Sequence, residues 1–333
     1  MPIAISGTTG ITLAGQFDSA STFGFRNRII NGAMQIAQRA TSATITAGST
    51  IAAGYSTVDR FYVYCTGANV TAAQVAGSGA IKNNLEITGG ASVTEIGVGQ
   101  RIEQLNSYDM AGSNATLSVN LSNSLLTTVT WTAYYATTAD TFGTLASPTR
   151  TQIATGTFTV TSTLTNYSTQ ISIPAAATTG IEVVLTVGAQ TSGTWVVGNI
   201  QLEKSSIATS FDYRPYGTEL ALCQRYFEKS YDIGTAPATN TALGTFNFAG
   251  SSEGNGNVIV PIQYSTKRTA PTLTGYLLAG TAGSWNYERS GGSSTGSITF
   301  DRTSDRESRA YVVVGANFVV CYVYGHWTAS AEL

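Results

Sequence analysis

The feature that most constrains this chain is a long succession of short runs rich in Thr, Val, Ile and aromatic residues. RFYVYC (60–65), TLSVNL (116–121), TVTWTAYY (128–135), TGTFTV (155–160), TQISI (169–173), IEVVLTV (181–187) and WVVGNIQLE (195–203) fill the first two thirds. LGTFNFAG (243–250), NVIVPIQY (257–264), TLTGYLLAG (272–280), GSITFD (296–301) and RAYVVVGANFVVCYVYGHWTA (309–329) fill the last third. β-Branched and aromatic residues suit a pleated, half-buried surface, and several runs alternate apolar with polar. Between them lie TGGAS, GSN and TTADTFG, which supply turn chemistry. Many short strands with turns between them predict an all-β fold of sandwich or jelly-roll type.

Charge narrows the partners. Charged residues make up 11% of the chain against 42% hydrophobic, with Lys+Arg 17, Asp+Glu 19 and a net charge of -2. An ordinary soluble domain carries about 25% charged residues. The surface is therefore covered by Ser, Thr, Asn, Gln and Gly, which suits an extracellular particle or a subunit that buries much of itself in an assembly. No basic run exists to displace counterions, so nucleic acid is excluded as a partner. No stretch reaches the ~18 apolar residues of a membrane helix, so membrane insertion is not expected. The start, MPIAISGTTGITLAG, lacks the basic and apolar regions of a signal peptide, which predicts synthesis in the cytoplasm without an export signal.

Four segments are expected. Residues 1–24 are small and polar and form an extended anchor or arm. Residues 25–216 form a jelly-roll sandwich. Residues 217–235 hold a linking helix in GTELALCQRYFEKSY, with Thr218 as cap and Leu220, Cys223 and Phe227 on one face. Residues 236–333 form a second, smaller sandwich, with RSGGSSTGS (289–297) as its tip.

Two stretches carry a family resemblance. NRIINGAMQIAQRA (27–40) with YSTVDRF (55–61) is one; GNIQLEKSSIATSFDYRPYGTELALCQRYFEKSY (198–231), with the ending GHWTASAEL, is the other. They resemble bacteriophage tail-fibre and tailspike subunits that contain a carbohydrate-binding-module-like jelly roll. The departures are Ser205 or Ser206 where that family has Gly, and Asp212 where it often has Glu. The resemblance implies a virion protein of the phage tail and a homotrimer. It also implies attachment to tail or baseplate proteins through the N-terminal segment, and adhesion of the distal C-terminal domain to a bacterial surface polysaccharide. A purely structural virion component and a glycan depolymerase are the alternatives.

The residues themselves give candidates for each reading. Flat rings stack on the C–H faces of sugars, so Trp131, Tyr134 and Tyr135, and above all Trp285 and Tyr287 beside the expected tip, are the glycan-binding candidates. Arg60, Glu203 and Asp212 are expected to form a structural clasp. Hydrolysis would need paired carboxyls, and Asp301, Asp305 and Glu307, or Glu288, could supply them. The acidic run is interleaved with Arg302, Arg306 and Arg309, however, which reads as a self-compensating loop, and no enzyme activity is expected. His326, the one histidine, reads as structural. No cofactor is expected; a structural Ca²⁺ stays open, without EF-hand spacing to support it. Cys65, Cys223 and Cys321 read as small buried thiols, with a Cys223–Cys321 disulfide as the open alternative.

Overall fold

The first sandwich is built from strands whose alternation is visible in the sequence. The protein was analysed as a computed structural model that describes residues 4–6, 10–12, 25–48, 54–79 and 81–333. Of the expected N-terminal arm it describes two short antiparallel strands, β1 (Ala4–Ser6) and β2 (Gly10–Thr12). The remainder of residues 1–24 lies outside the described residues.

Eleven strands then form two antiparallel sheets. In chain order they are β3 (Ser42–Ile45), β4 (Tyr62–Thr66), β5 (Val70–Ala76), β6 (Asn83–Thr88) and β7 (Glu95–Ile102). Next come β8 (Asn114–Asn123), β9 (Thr128–Ala136), β10 (Arg150–Thr159), β11 (Thr165–Ser172), β12 (Ile181–Val187) and β13 (Thr194–Glu203). A single helical turn, α1 (Gln104–Ser107), joins β7 to β8. One sheet has the order β10-β9-β12-β7-β4, the other β11-β8-β13-β6-β5-β3. The chain crosses between the sheets repeatedly, as in a jelly roll. Val63, Ile96, Val98, Trp131 and Leu185 from one sheet meet Leu85, Leu117, Val119, Trp195 and Val197 from the other in one core. Each such side chain contributes about 1.5–3 kcal/mol on burial.

Sheet structure resumes after helix α2 (Tyr216–Gln224). The strands are β14 (Phe227–Lys229), β15 (Phe246–Ser251), β16 (Asn257–Gln263), β17 (Thr272–Tyr276), β18 (Ser284–Arg289), β19 (Gly292–Asp301), β20 (Glu307–Val313) and β21 (Val320–Ser330). The long β21 organises them. Its last residues pair with β14 and β17, and its first residues pair with β15 and β18. The curved sheet closes over a second core of Val258, Val260, Trp285, Val312, Cys321, Val323 and Trp327.

The helix differs from the sequence expectation. It starts behind Pro215, whose φ of -55° is already helical, rather than at a Thr218 cap, and it stops at Gln224. Phe227 and Lys229, expected to continue it, pair instead with Ser330 and Thr328. An open edge of β21 thus captures residues that local periodicity assigned to the helix. Among the described residues all three cysteines are free and buried. Cys223 packs with Ile30, Ile36 and Tyr226, and Cys321 lies in the C-terminal core, so they are not bonded to each other.

Candidate functional site

The residues carrying the family resemblance do structural work. Asn27 donates to the carbonyl of Ile200 at 3.0 Å and accepts from the amides of Ile29 and Leu202 at 2.9 and 3.1 Å. Asn31 does the same for Ile36 and the carbonyl of Asp59, at a φ of 60° that Asn tolerates. A Cβ on Gly32 would lie 2.2 Å from the carbonyl oxygen of Ile200, so only glycine fits there. This segment is a bolt across the end of β13, and its polar groups are consumed by backbone.

The expected clasp forms with other partners. Arg60 meets neither Glu203 nor Asp212. Its guanidinium is buried against the carboxylate of Glu332, donates to the carbonyl of Arg101 at 2.6 Å, and lies 3.4 Å from the centre of the Tyr226 ring. Glu203 accepts from the amide and hydroxyl of Thr209 at 2.8 and 2.7 Å, which closes the turn after β13. Asp212 accepts from the amide of Arg26 at 2.8 Å. Sequence separation hid the true partner: Arg60 and Glu332 are 272 residues apart.

The aromatic candidates divide by face. Trp285 is fully buried, with its indole N–H donating to the carbonyl of His326 at 2.8 Å, and Tyr287 is buried beside it. A strand turns alternate side chains to opposite faces, so the residues that face outward on β18 are Asn286 and Glu288. Trp131 is likewise buried in the first core, its ring against Gly156, and Tyr135 packs on that core's edge. Trp131, Trp285 and Tyr287 are thus core side chains, and Tyr135 is a partly buried one. Tyr134 is different: it sits half-buried on the outer side of β9.

Three cross-strand rows make up the outer face of the five-stranded sheet. The first runs Arg101, Glu182, Tyr134, Gln152. The second runs Tyr62, Gly99, Val184, Thr132, Thr155, and the third Tyr64, Gly97, Thr186, Thr130, Thr157. Two glycines decide the shape. A Cβ on Gly97 would lie 2.0 Å from the Tyr64 ring, and one on Gly99 would lie 2.2 Å from the Tyr62 hydroxyl. Each tyrosine is therefore laid over the β7 backbone where a side chain is missing. Tyr62 is buried there, but Tyr64 is half-exposed.

The charges on this face are fixed. Glu182, fully buried, accepts from the Tyr62 hydroxyl at 2.9 Å and from Arg101 at 2.8 Å, and it pairs with Arg150. Arg150 in turn lies 3.9 Å from the centre of the Tyr134 ring. The Tyr64 hydroxyl donates to Glu95 at 2.8 Å, and burial, then this carboxylate, raise its pKa above that of an ordinary tyrosine. Tyr64 and Tyr134 are thus two half-buried rings on one sheet face, on strands separated by β7 and β12, with a comb of threonine hydroxyls on the same face. Tyr64 was missed in the sequence because RFYVYC reads as a buried run; its alternation with Val63 and Cys65 was the available signal.

One of the hydrolytic candidates is held in an ion pair. Asp301 is forked by Arg309 at 2.9 and 2.7 Å. His326 is buried, stacked on Tyr231 at 3.8 Å, with Nε2 3.0 Å from the carbonyl of Thr241. Among the described residues, no three His, Cys, Asp or Glu side chains come together as a metal site. Nor is any helix among the described residues long and apolar enough to cross a membrane.

No protein-family model and no curated protein matches the chain. Among solved structures it is similar to the enzymatically active domain of tailspike protein 4 of bacteriophage CBA120, at 14% identity and a TM-score of 0.32, over 54% of this chain and 21% of that one. It is also similar to a family 61 carbohydrate-binding module complexed with β-1,4-galactotriose (10% identity, TM-score 0.33, 54% of this chain, 99% of that one). A third is the family 22 xylan-binding domain of Paenibacillus barcinonensis Xyn10C (13%, TM-score 0.32, 47% and 100%). Likenesses this distant carry no argument about function.

Proposed function

We propose that this chain is a bacteriophage tail-fibre subunit that adheres to a host surface polysaccharide through the outer face of its five-stranded sheet. The observation that carries the reading is the half-buried Tyr64 ring laid over Gly97, on the same sheet face as Tyr134 and the threonine comb. A flat ring beside fixed hydroxyl and guanidinium donors is what a sugar's C–H face and hydroxyls require. The phage assignment rests on the motifs at 27–61 and 198–231. In this reading three chains make one fibre and residues 1–24 attach it to the tail or baseplate. The sites bind without cleaving, since Glu182 gives its oxygens to Arg101, Arg150 and Tyr62. Repeating a weak site three times raises avidity by about 10²–10⁴ without new contacts.

Adsorption of the purified chain to polysaccharide fractions of the host surface tests this. Tyr64→Ala removes the apolar ring surface on which the sugar would pack, at roughly 25 cal/mol per Å² covered; about 50 Å² of contact corresponds to a loss of roughly tenfold in adsorption, with the fold intact. If the intact chain binds no fraction, it is a structural virion component. Release of reducing sugar would make it a depolymerase.

A further inference from the structure

The C-terminal core turned Trp285 and Tyr287 inward, and the same strands present a second set of side chains outward. Along β21, Cys321 and Val323 are buried while Tyr322 is 59% exposed and Tyr324 half-exposed on the opposite face. Tyr322 lies across from Glu288 of β18 and Ala249 of β15; Tyr324 lies across from Asn286 and Asn247. Residues two apart on a strand stand about 7 Å apart on one face, so the two rings line up along the strand. A cleft of about 380 Å³ opens over them, lined also by Asn247, Thr245, Leu278 and Glu288.

The cleft's polar groups are positioned. Asn286 accepts from the amide of Leu278 at 3.0 Å, which pins the turn that forms one wall. The Tyr324 hydroxyl donates to Oε1 of Glu288 at 3.1 Å, which orients the carboxylate beside the rings. Among the described residues lining the cleft, Glu288 is the charged one. A carboxylate accepts two hydroxyl donors at once and repels an anion. An aromatic pair with an amide, a hydroxyl and one oriented carboxylate is a small set of convergent polar groups on an apolar floor.

We infer that this cleft is a second carbohydrate site, selective for neutral pyranose oligosaccharides over uronate-bearing ones. The inference extends the adhesion reading but stands on separate residues in a separate core. Its consequence is that one chain engages the cell surface at two points.

The test is saturation-transfer NMR on the full chain with maltohexaose, cellohexaose and mannohexaose, and with hexagalacturonate as anionic counterpart. In a Tyr64→Ala, Tyr134→Ala background at least one neutral hexaose should still bind. Adding Tyr322→Ala should weaken that binding more than tenfold, and melting should confirm that this exposed position leaves the fold unchanged. Glu288→Gln should weaken the neutral ligands and admit hexagalacturonate. Loss of all neutral binding in the Tyr64, Tyr134 background overturns the second site and leaves the first. Binding in that background that is indifferent to Tyr322→Ala, or that prefers hexagalacturonate, overturns it as well. So does a change in sedimentation on Tyr322→Ala, which would make the face a subunit contact. If Tyr322→Ala alone removes all binding, the five-stranded face is not a site. If the intact chain binds none of the four probes, the second site falls, while the adhesion reading is decided separately by adsorption to the host polysaccharide fractions.

Discussion

Glu332→Ala should be among the most destabilising single changes available outside either core. The Glu332 carboxylate holds two guanidinium groups, Arg60 on one oxygen and Arg39 on the other at 3.1 Å. Arg60 has 1% of its side chain exposed and Glu332 10%. Truncation would leave Arg60 as a buried cation without a counterion, at a position whose φ of 72° is already strained for a residue with a Cβ. Breaking a buried pair by removing one partner costs about 3–5 kcal/mol. The bond to the Arg101 carbonyl and the Tyr226 ring survive, which places the expected loss near the lower end, about 3 kcal/mol. For a unit of roughly 150–250 residues that corresponds to about 6–12 °C in Tm. Urea unfolding followed by tryptophan fluorescence reads it, because Trp131 and Trp195 report the first core while Trp285 and Trp327 report the second. Glu332→Gln keeps an acceptor and should lose less. A loss under about 0.5 kcal/mol for Glu332→Ala, the size of an ordinary surface change, would refute the claim that this pair couples the chain end to the first sandwich.

Three further outcomes follow from the same geometry. Gly97→Ala should displace the Tyr64 ring, because its Cβ would come within 2.0 Å of it, and should lower polysaccharide adsorption about as much as Tyr64→Ala while costing about 1–3 kcal/mol. Trp285→Ala should cost about 3–5 kcal/mol as a core truncation; a variant that melts like the parent would return this residue to the binding candidates. Burial pushes the Glu103 carboxyl up, but the fork from Arg225 at 3.0 and 2.9 Å outweighs it and holds the pKa below the usual carboxylate range. The folded state thus binds this proton less readily than the unfolded one, so the contribution is complete above the ordinary glutamate pKa and fades as pH falls through the depressed value. Arg225→Ala should flatten that part of the acid-unfolding curve.

The legible part of the fold is the part encoded with period two. TVTWTAYY and IEVVLTV announced β9 and β12 because Val129, Trp131, Val183 and Leu185 recur on one face. What stayed hidden was which face was which and what lay far away in sequence. The aromatics of WNYER are plain in the sequence, but nothing local says that Trp285 points inward and Glu288 outward; that depends on β21, which pairs from more than 30 residues away. Local periodicity carries a helix through QRYFEK, but the strand edge supplied by Thr328 and Ser330 pairs with Phe227 and Lys229 instead. The platform at Tyr64 depends on Gly97, a strand glycine whose missing Cβ matters only once β4 and β7 are neighbours.

The most direct test of the adhesion claim is a structure of the chain with an oligosaccharide cut from the polysaccharide it adsorbs to. The account predicts a sugar ring stacked on the outward face of Tyr64, with its hydroxyls within hydrogen-bond reach of Arg150 and the β9 and β10 threonines. An oligosaccharide bound away from this face, with Tyr64 bare, would contradict it.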